Sequence, residues 1–299
     1  PTPTTSSAAS DVYKRQRKTR SLDDYLRILH EWTERIQSSP LAVERSVYEI
    51  IGKEYRSGGV ERIELRFNPM KRNRNGEQDL DHIIHAALRG MDQACLEYGV
   101  DAGLIFCLGR EFPPDQNEII LEKAIKYRSR GVVGIDLAGT ETHTIELNEA
   151  VGRYAAMFAR AREAGLGTTI HTGETAATSG EGVIAVVTKL KPDRIGHGIR
   201  AAYNEEAVKI LADSGTVLEI CPTSNLHTRA VRHLEEFRYI LGTFLESGVQ
   251  FTINTDGTYL CSTSLRREFS LLTESEILDE GEAETCLLYT SDAADEVLG

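Results

Sequence analysis

The amino-acid sequence predicts an α/β fold of the TIM type, a (β/α)8 barrel that lacks its first strand in this chain. Seven short β-branched or apolar stretches alternate with stretches of helical periodicity, which is typical of βαβ units. Polar side chains follow at least four of these stretches, at the strand ends where a barrel carries its active site. No G-x-G-x-x-G follows the first predicted strand, which disfavours the alternative, an open doubly wound sheet.

The elements follow one another without a linker. Helical periodicity runs from Leu22 to Gly52 with a break at Ser39-Pro40, and Gly58-Gly59 ends the second helix. Strands are predicted over 60–67, 102–108, 132–137, 168–171, 194–197, 217–220 and 249–254. Helices are predicted over 80–98, 118–130, 147–164, 182–190, 204–212, 234–247 and 264–278. Seven strands are one fewer than a closed barrel needs, so we expect the missing strand to precede this chain.

Composition limits the classes of function. The chain has 299 residues, of which 40% are hydrophobic and 27% charged, which suits one or two globular domains. A net charge of −12 argues against binding to nucleic acid or to an anionic membrane. No apolar run reaches the length of a transmembrane helix, and the five cysteines show no C-x-x-C spacing. The sequence therefore predicts a cytoplasmic protein with reduced thiols.

The two ends are expected to be non-native. Residues 6–16 can be encoded by a DNA segment whose reverse complement, read one base out of frame, encodes residues 286–296. This relation indicates one sequencing-library adapter present in both orientations. We therefore expect residues 1–16 and 286–299 to be adapter-derived tails around one barrel domain at 17–285, and we expect the native chain to be cut at both sides.

Five residues at strand ends are candidates for chemistry. His171 and Asp256 form a plausible nitrogen and oxygen pair for zinc. Glu174 is a candidate general acid, provided that a dry pocket raises its pKa. His197, between two glycines, could orient or deprotonate a metal-bound water. Gly139 could line a pocket with backbone groups.

The ligand set is incomplete in this sequence. Catalytic zinc normally takes three or more protein ligands, and none of the eight histidines forms an H-x-H pair. Two alternatives therefore remain open. One is a non-catalytic fragment with a vestigial pocket, and the other is a metal-free barrel lyase that uses His171 and His197 as acid and base.

Taken together, six motifs in this order resemble the adenosine deaminase family of zinc amidohydrolases. They extend over most of the chain, from about Leu22 to Leu278. The motifs are Glu64-Leu65-Arg66-Phe67-Asn68-Pro69, Asp136-Leu137-Ala138-Gly139, His171-Thr172-Gly173-Glu174, Arg194-Ile195-Gly196-His197-Gly198, Cys221-Pro222-Thr223-Ser224-Asn225 and Asn254-Thr255-Asp256.

The resemblance implies a barrel with one zinc ion per subunit and a small-molecule purine nucleoside as substrate. By it, His171 and Asp256 are metal ligands, and Glu174 protonates the purine ring nitrogen next to the reacting carbon. His197 orients the hydroxide, and Gly139 contacts the substrate through its backbone. The implied reaction is hydrolytic deamination of adenosine or a related 6-aminopurine nucleoside, with release of ammonia. It implies nothing about oligomeric state.

Two departures from the family pattern bear on activity and on substrate. The family's N-terminal H-x-H-x-x-G segment, which carries two zinc ligands, is absent, so we expect this chain itself to be inactive. The family's second Asp after Asn-Thr, a residue that contacts the purine, is replaced by Gly257, and the Pro that follows is replaced by Thr258. The substrate could therefore be adenosine, adenine or aminodeoxyfutalosine.

Overall fold

A computed structural model describes residues 21–73 and 79–286 of the chain. Its centre is one sheet of seven parallel strands whose spatial order is their order in the sequence. The strands are β1 (Arg62–Phe67), β2 (Asp101–Gly109), β3 (Val132–Ala138), β4 (Gly167–Thr172), β5 (Arg194–His197), β6 (Val217–Ile220) and β7 (Phe251–Ile253). Sequential parallel pairing throughout is the arrangement that βαβ units produce when they wind in one direction.

The sheet curls into a barrel that lacks one strand. Arg66 on β1 places its Nη2 atom 2.8 Å from an oxygen of Glu219 on β6. Glu64 on the same strand lies 2.6 Å from Arg194 on β5. These strands are several positions apart in the sheet, so their side chains can meet only across the interior of a curved sheet. The predicted TIM-type fold is therefore confirmed, and the open doubly wound alternative is excluded.

The helices cover the outside of the sheet. They include α1 (Leu22–Ile28), α2 (Pro40–Gly58), α3 (Leu80–Tyr98), α4 (Pro114–Tyr127), α5 (Val151–Glu163), α6 (Ser179–Lys189), α7 (Glu205–Ser214), α8 (Pro222–His227), α9 (Leu234–Ser247) and α10 (Leu265–Glu274). Helix α1 continues through a π-helical turn at Leu29–Thr33 and a further α-helical turn at Glu34–Ile36. The side chain of Ser39 caps α2 at its start, and Gly59 ends it in the left-handed conformation.

Apolar side chains fill the space between helices and sheet. The largest fully buried side chains include Phe106 on β2, Phe158 on α5 and Phe244 on α9. Helices α2 and α3 approach so closely that a Cβ atom at Gly90 would lie 2.2 Å from the carbonyl oxygen of Glu44. The barrel is thereby supported from outside, while its interior holds the charged side chains described above.

The sequence predicted which helices and strands occur more accurately than it predicted where each one begins and ends. Four of the predicted ranges, 80–98, 194–197, 217–220 and 234–247, are observed with the same bounds. The short helix α8 was not predicted, because six residues after a strand are too few to show helical periodicity. No helix within 21–73 and 79–286 is long and apolar enough to cross a membrane. The predicted adapter tails lie outside the described residues, except for Cys286.

Candidate active site

A cavity of about 490 Å³ reaches the C-terminal ends of the strands and extends along the whole of β1. All five candidate residues from the sequence line it, namely Gly139, His171, Glu174, His197 and Asp256. They come from the ends of four different strands and the loops that follow, as in a barrel active site. The tertiary structure therefore brings together side chains that are up to 117 positions apart in the chain.

His171, near the end of β4, is held in place by a buried carboxylate. Its Nδ1 atom lies 3.0 Å from Asp136 on β3. Burial alone would lower the pKa of His171, but the charge of Asp136 and its hydrogen bond raise it above the usual value. Gly196 on β5 makes room for the ring, since a Cβ atom there would lie 2.9 Å from Cγ of His171. With Nδ1 engaged, Nε2 is the ring nitrogen that can bind a metal.

Asp256 follows β7 in a strained backbone conformation. Its φ of 53° lies in the left-handed region, which is uncommon for a residue other than glycine. The hydroxyl of Ser224 donates a hydrogen bond of 2.7 Å to its carboxylate. His197 has a similar φ of 62°. Backbone strain of this kind occurs preferentially at functional sites.

His171 and Asp256 are the types of residue that bind zinc, but they are fewer than the ligands that a zinc site needs. A histidine held by a carboxylate is the usual form of a zinc ligand, and an aspartate is a common partner. Within the described ranges, no group of three or more His, Cys, Asp or Glu side chains could hold a metal. Two such side chains are fewer than the three or more protein ligands that a catalytic zinc ion normally takes.

Glu174 is a buried carboxyl group with altered acidity. Its side chain is 3% exposed, and burial raises its pKa above the usual value. His197 acts in the opposite direction, whereas the negative charge of Glu141 adds to the increase. The hydroxyl of Thr228 donates a hydrogen bond of 3.0 Å to the carboxylate. Burial and the charge of Glu141 outweigh His197 and the donated hydrogen bond, so the carboxyl group keeps its proton closer to neutral pH.

His197, the last residue of β5, faces both His171 and Glu174. Its ring centre lies 5.3 Å from that of His171. The amide nitrogen of Asn225 on α8 lies 3.0 Å from Nδ1 and donates to it, so the ring proton is on Nε2. That atom lies 3.6 Å from the carboxylate of Glu174. The arrangement fixes the imidazole with a defined N–H direction.

Gly139 follows β3 and presents backbone to the cavity. Its φ is 118°, a conformation that side chains rarely adopt. A Cβ atom at this position would lie 2.7 Å from the carboxylate of Glu111. The backbone conformation therefore strains any side chain here, and the cavity wall at this point consists of the peptide itself.

A charged network below these residues was not predicted from the sequence. Glu219 accepts hydrogen bonds from Arg66 at 2.8 Å and from Thr169 at 3.1 Å, and it pairs with Arg194 at 3.1 Å. Arg66 also lies 3.5 Å from Asp136, which links this network to His171. A charged residue within a buried strand could have indicated the network, since such residues are almost never fully buried unless they are paired.

Comparisons with known proteins indicate the family and the fold that this chain resembles. A family model described as "Adenosine deaminase" matches residues 1–286. An adenosine deaminase of Clostridium botulinum (strain Kyoto / Type A2) is 34% identical over 254 residues, which cover 84% of this chain and 72% of that protein. Among solved structures, adenine deaminase from Arthrobacter aurescens has a TM-score of 0.79 at 20% identity and covers 91% of this chain and 80% of that one. An amidohydrolase from Burkholderia ambifaria with bound Zn has a TM-score of 0.72 at 22% identity, with coverage of 91% and 77%.

Proposed function

We propose, since this chain belongs to the adenosine deaminase family, that its barrel is built for hydrolytic deamination of a 6-aminopurine nucleoside. In that reaction a C–O bond forms at C6 from water, the C6–N bond breaks, and ammonia leaves. The observation that supports this best is the buried carboxyl group of Glu174. It shares one cavity with His171, His197 and Asp256.

Glu174 would serve as the general acid of the reaction. Attack at C6 of a purine places negative charge on the adjacent ring nitrogen N1, and a proton delivered there stabilises it. Because burial raises the pKa of Glu174, a larger fraction of the carboxyl groups carries that proton near pH 7. The hydrogen bond from Thr228 fixes the carboxyl group in one orientation.

His197 and Gly139 would orient the reactants. His197 has its proton on Nε2, on the side of Glu174, so it can donate to an oxygen nucleophile beside that carboxyl group. Gly139 would contact the purine through its backbone, because no side chain fits at that position.

His171 and Asp256 would hold a zinc ion together with donors that the described residues do not supply. One solved relative of the fold carries bound Zn. When bound, zinc would lower the pKa of a water to about 7 and so supply hydroxide at neutral pH. Asp136 would keep His171 in the tautomer that presents Nε2 to the metal.

A second proposal concerns residues 1–299 as distinct from the complete gene product, and it follows from the number of metal ligands. With two donors where catalytic sites use three or more, residues 1–299 would bind zinc weakly and show negligible turnover, while the cavity could still bind a nucleoside. Tight binding of one zinc ion per chain, measured by metal analysis after dialysis, would contradict this proposal. If the chain were instead a metal-free lyase, its activity would not change when a chelator is added.

The proposed function can be tested on the complete gene product. The full reading frame, recovered from its source DNA, is expressed with zinc and supplied with adenosine, adenine and aminodeoxyfutalosine, and ammonia release is measured. We expect zinc-dependent release from one of these substrates, which Glu174→Gln abolishes. The exposed Glu235 offers a matched control, since Glu235→Gln changes a carboxylate on the outer surface. Absence of ammonia with all three substrates would refute the deaminase proposal.

A further inference from the structure

Tyr25 places a hydroxyl group next to Gly257 in the candidate active site. The tyrosine lies on α1, outside the barrel strands, and is 5% exposed. It lines the same cavity as Glu174 and Asp256. A Cβ atom at Gly257 would lie 2.9 Å from Oη of Tyr25, closer than real Cβ contacts. The absence of a side chain at position 257 is therefore what allows the tyrosine hydroxyl to occupy this place.

This hydroxyl group has no strong hydrogen-bonding partner within the described ranges. Its one hydrogen-bonding contact there is with Sγ of Cys261, at 3.9 Å, and a thiol is a weak donor and a weak acceptor. Buried hydroxyl groups usually have a better partner. Burial, with the nearby charge of Asp256, raises the pKa of Tyr25 well above its usual value, so the phenol keeps its proton. Tyr25 thus presents a neutral donor to the cavity.

The position of the hydroxyl indicates which atom of a purine it would meet. In a 6-aminopurine, C6 lies between N1 and C5, and N7 is bonded to C5 on the same side as the amine. Glu174 is assigned to N1, which leaves N7 as the second ring acceptor near the reacting carbon. N3 lies on the far side of the six-membered ring. A hydroxyl beside Asp256, near the reaction centre, is thus placed for N7 and not for N3.

We propose that Tyr25 determines substrate specificity by donating a hydrogen bond to N7 of the bound purine, in the space that Gly257 leaves open. This inference rests on the proposed function, because it requires a purine in the cavity. It assigns a joint role to two residues on different elements, α1 and the loop after β7. Gly257 acts through Tyr25 and is a positioning residue, whereas Tyr25 touches the substrate.

The test compares the binding of two nucleosides to the chain 1–299 by isothermal titration calorimetry. Adenosine carries N7, and 7-deazaadenosine has a C–H group in its place. We expect Tyr25→Phe to weaken adenosine binding about five-fold, as one lost hydrogen bond would, and 7-deazaadenosine binding less than about two-fold. Tyr239→Phe is the matched control, since Tyr239 is half exposed and bonds to the carbonyl of Ala202, away from the cavity.

A second variant, Gly257→Ala, tests the role of Gly257. Its result can be interpreted even if Tyr25→Phe does not fold. Gly257→Ala should displace the hydroxyl and weaken adenosine binding by a similar factor. In the Tyr25→Phe background the same change should have less than about a two-fold effect, because Oη is no longer there to be displaced. Thermal unfolding of each variant verifies that it is folded.

The possible results separate this inference from the proposed function. The role of Tyr25 is supported if Tyr25→Phe and Gly257→Ala each weaken the binding of adenosine more than that of 7-deazaadenosine. It also requires that the double variant binds adenosine no more weakly than Tyr25→Phe alone. An equal effect of Tyr25→Phe on the two nucleosides, or no effect on either, overturns that role and leaves the deaminase proposal intact. Absence of binding of either nucleoside to the unmodified chain overturns the role of Tyr25, whereas the deaminase proposal fails only if the complete gene product releases no ammonia.

Discussion

Replacing Glu219 by glutamine should destabilise the barrel strongly, because this carboxylate balances two buried arginines. Glu219 on β6 is 3% exposed and lies 2.8 Å from Arg66 and 3.1 Å from Arg194. Burial would raise its pKa, but the two guanidinium groups outweigh burial and lower the pKa to about 2. Glu219→Gln keeps the shape of the side chain and removes only the charge.

The expected loss of stability can be obtained in two ways. A fall in the pKa of Glu219 from 4.5 to about 2 corresponds to ~3 kcal/mol in favour of the charged form. Removal of one partner from a buried ion pair typically costs about 3–5 kcal/mol. Arg194 keeps Glu64 at 2.6 Å and Arg66 keeps Asp136 at 3.5 Å. We therefore expect a decrease of about 3 kcal/mol in the free energy of unfolding.

Urea unfolding, followed by circular dichroism at pH 7, measures this decrease. Glu235→Gln is the control, since its ion pair with Arg238 is exposed and such pairs contribute less than about 1 kcal/mol. The pKa of Glu219 is lower in the folded state, so its contribution is complete above pH 4.5 and is lost as the pH falls through about 2. The difference between wild type and Glu219→Gln should therefore vanish near pH 2. A decrease below about 1 kcal/mol at pH 7 would refute this account.

Three further predictions concern the site itself. Asp136→Asn should weaken zinc binding by His171 about 10–100-fold, measured by competition with a chelating dye, because the ring loses its orienting carboxylate. Gly196→Ala should destabilise the fold by about 1–3 kcal/mol in urea unfolding, since the new methyl group meets the same ring at 2.9 Å. Thr228→Val should raise the pKa of Glu174 and move the alkaline limb of the pH–rate profile of the complete enzyme upward, because the hydrogen bond that favours the carboxylate is lost.

Two of these predictions have a control on the surface. Asp115→Asn alters an exposed aspartate and should leave zinc affinity unchanged; an equal loss in both variants would show that Asp136 has no special role. Gly242→Ala adds a methyl group on α9 where no atom lies within 4 Å, and it should not destabilise the fold. A pH–rate profile that does not move, or moves downward, would contradict the role of Thr228.

Much of the fold could be predicted from the sequence because each element buries its own apolar face. The strand Arg194–His197 and the helix Leu234–Ser247 are observed as predicted, since their periodicity and their flanking glycines are local signals. Helix α8 could not be predicted, because its six residues are defined by Cys221-Pro222 at its start and by packing. The adapter tails and the domain bounds remain predictions, as do the catalytic roles of the five candidate residues.

The sequence by itself determined the alternation of strands and helices and the candidate residues at the strand ends. Strand ends of a parallel barrel meet at one rim, so position along each strand was sufficient to group His171, His197 and Asp256. Only the tertiary structure decided the contacts across the barrel, such as Arg66 with Glu219, and the meeting of Tyr25 with Gly257. These pairs are 153 and 232 residues apart, and no local pattern records which distant side chain will face a given one when the sheet curls.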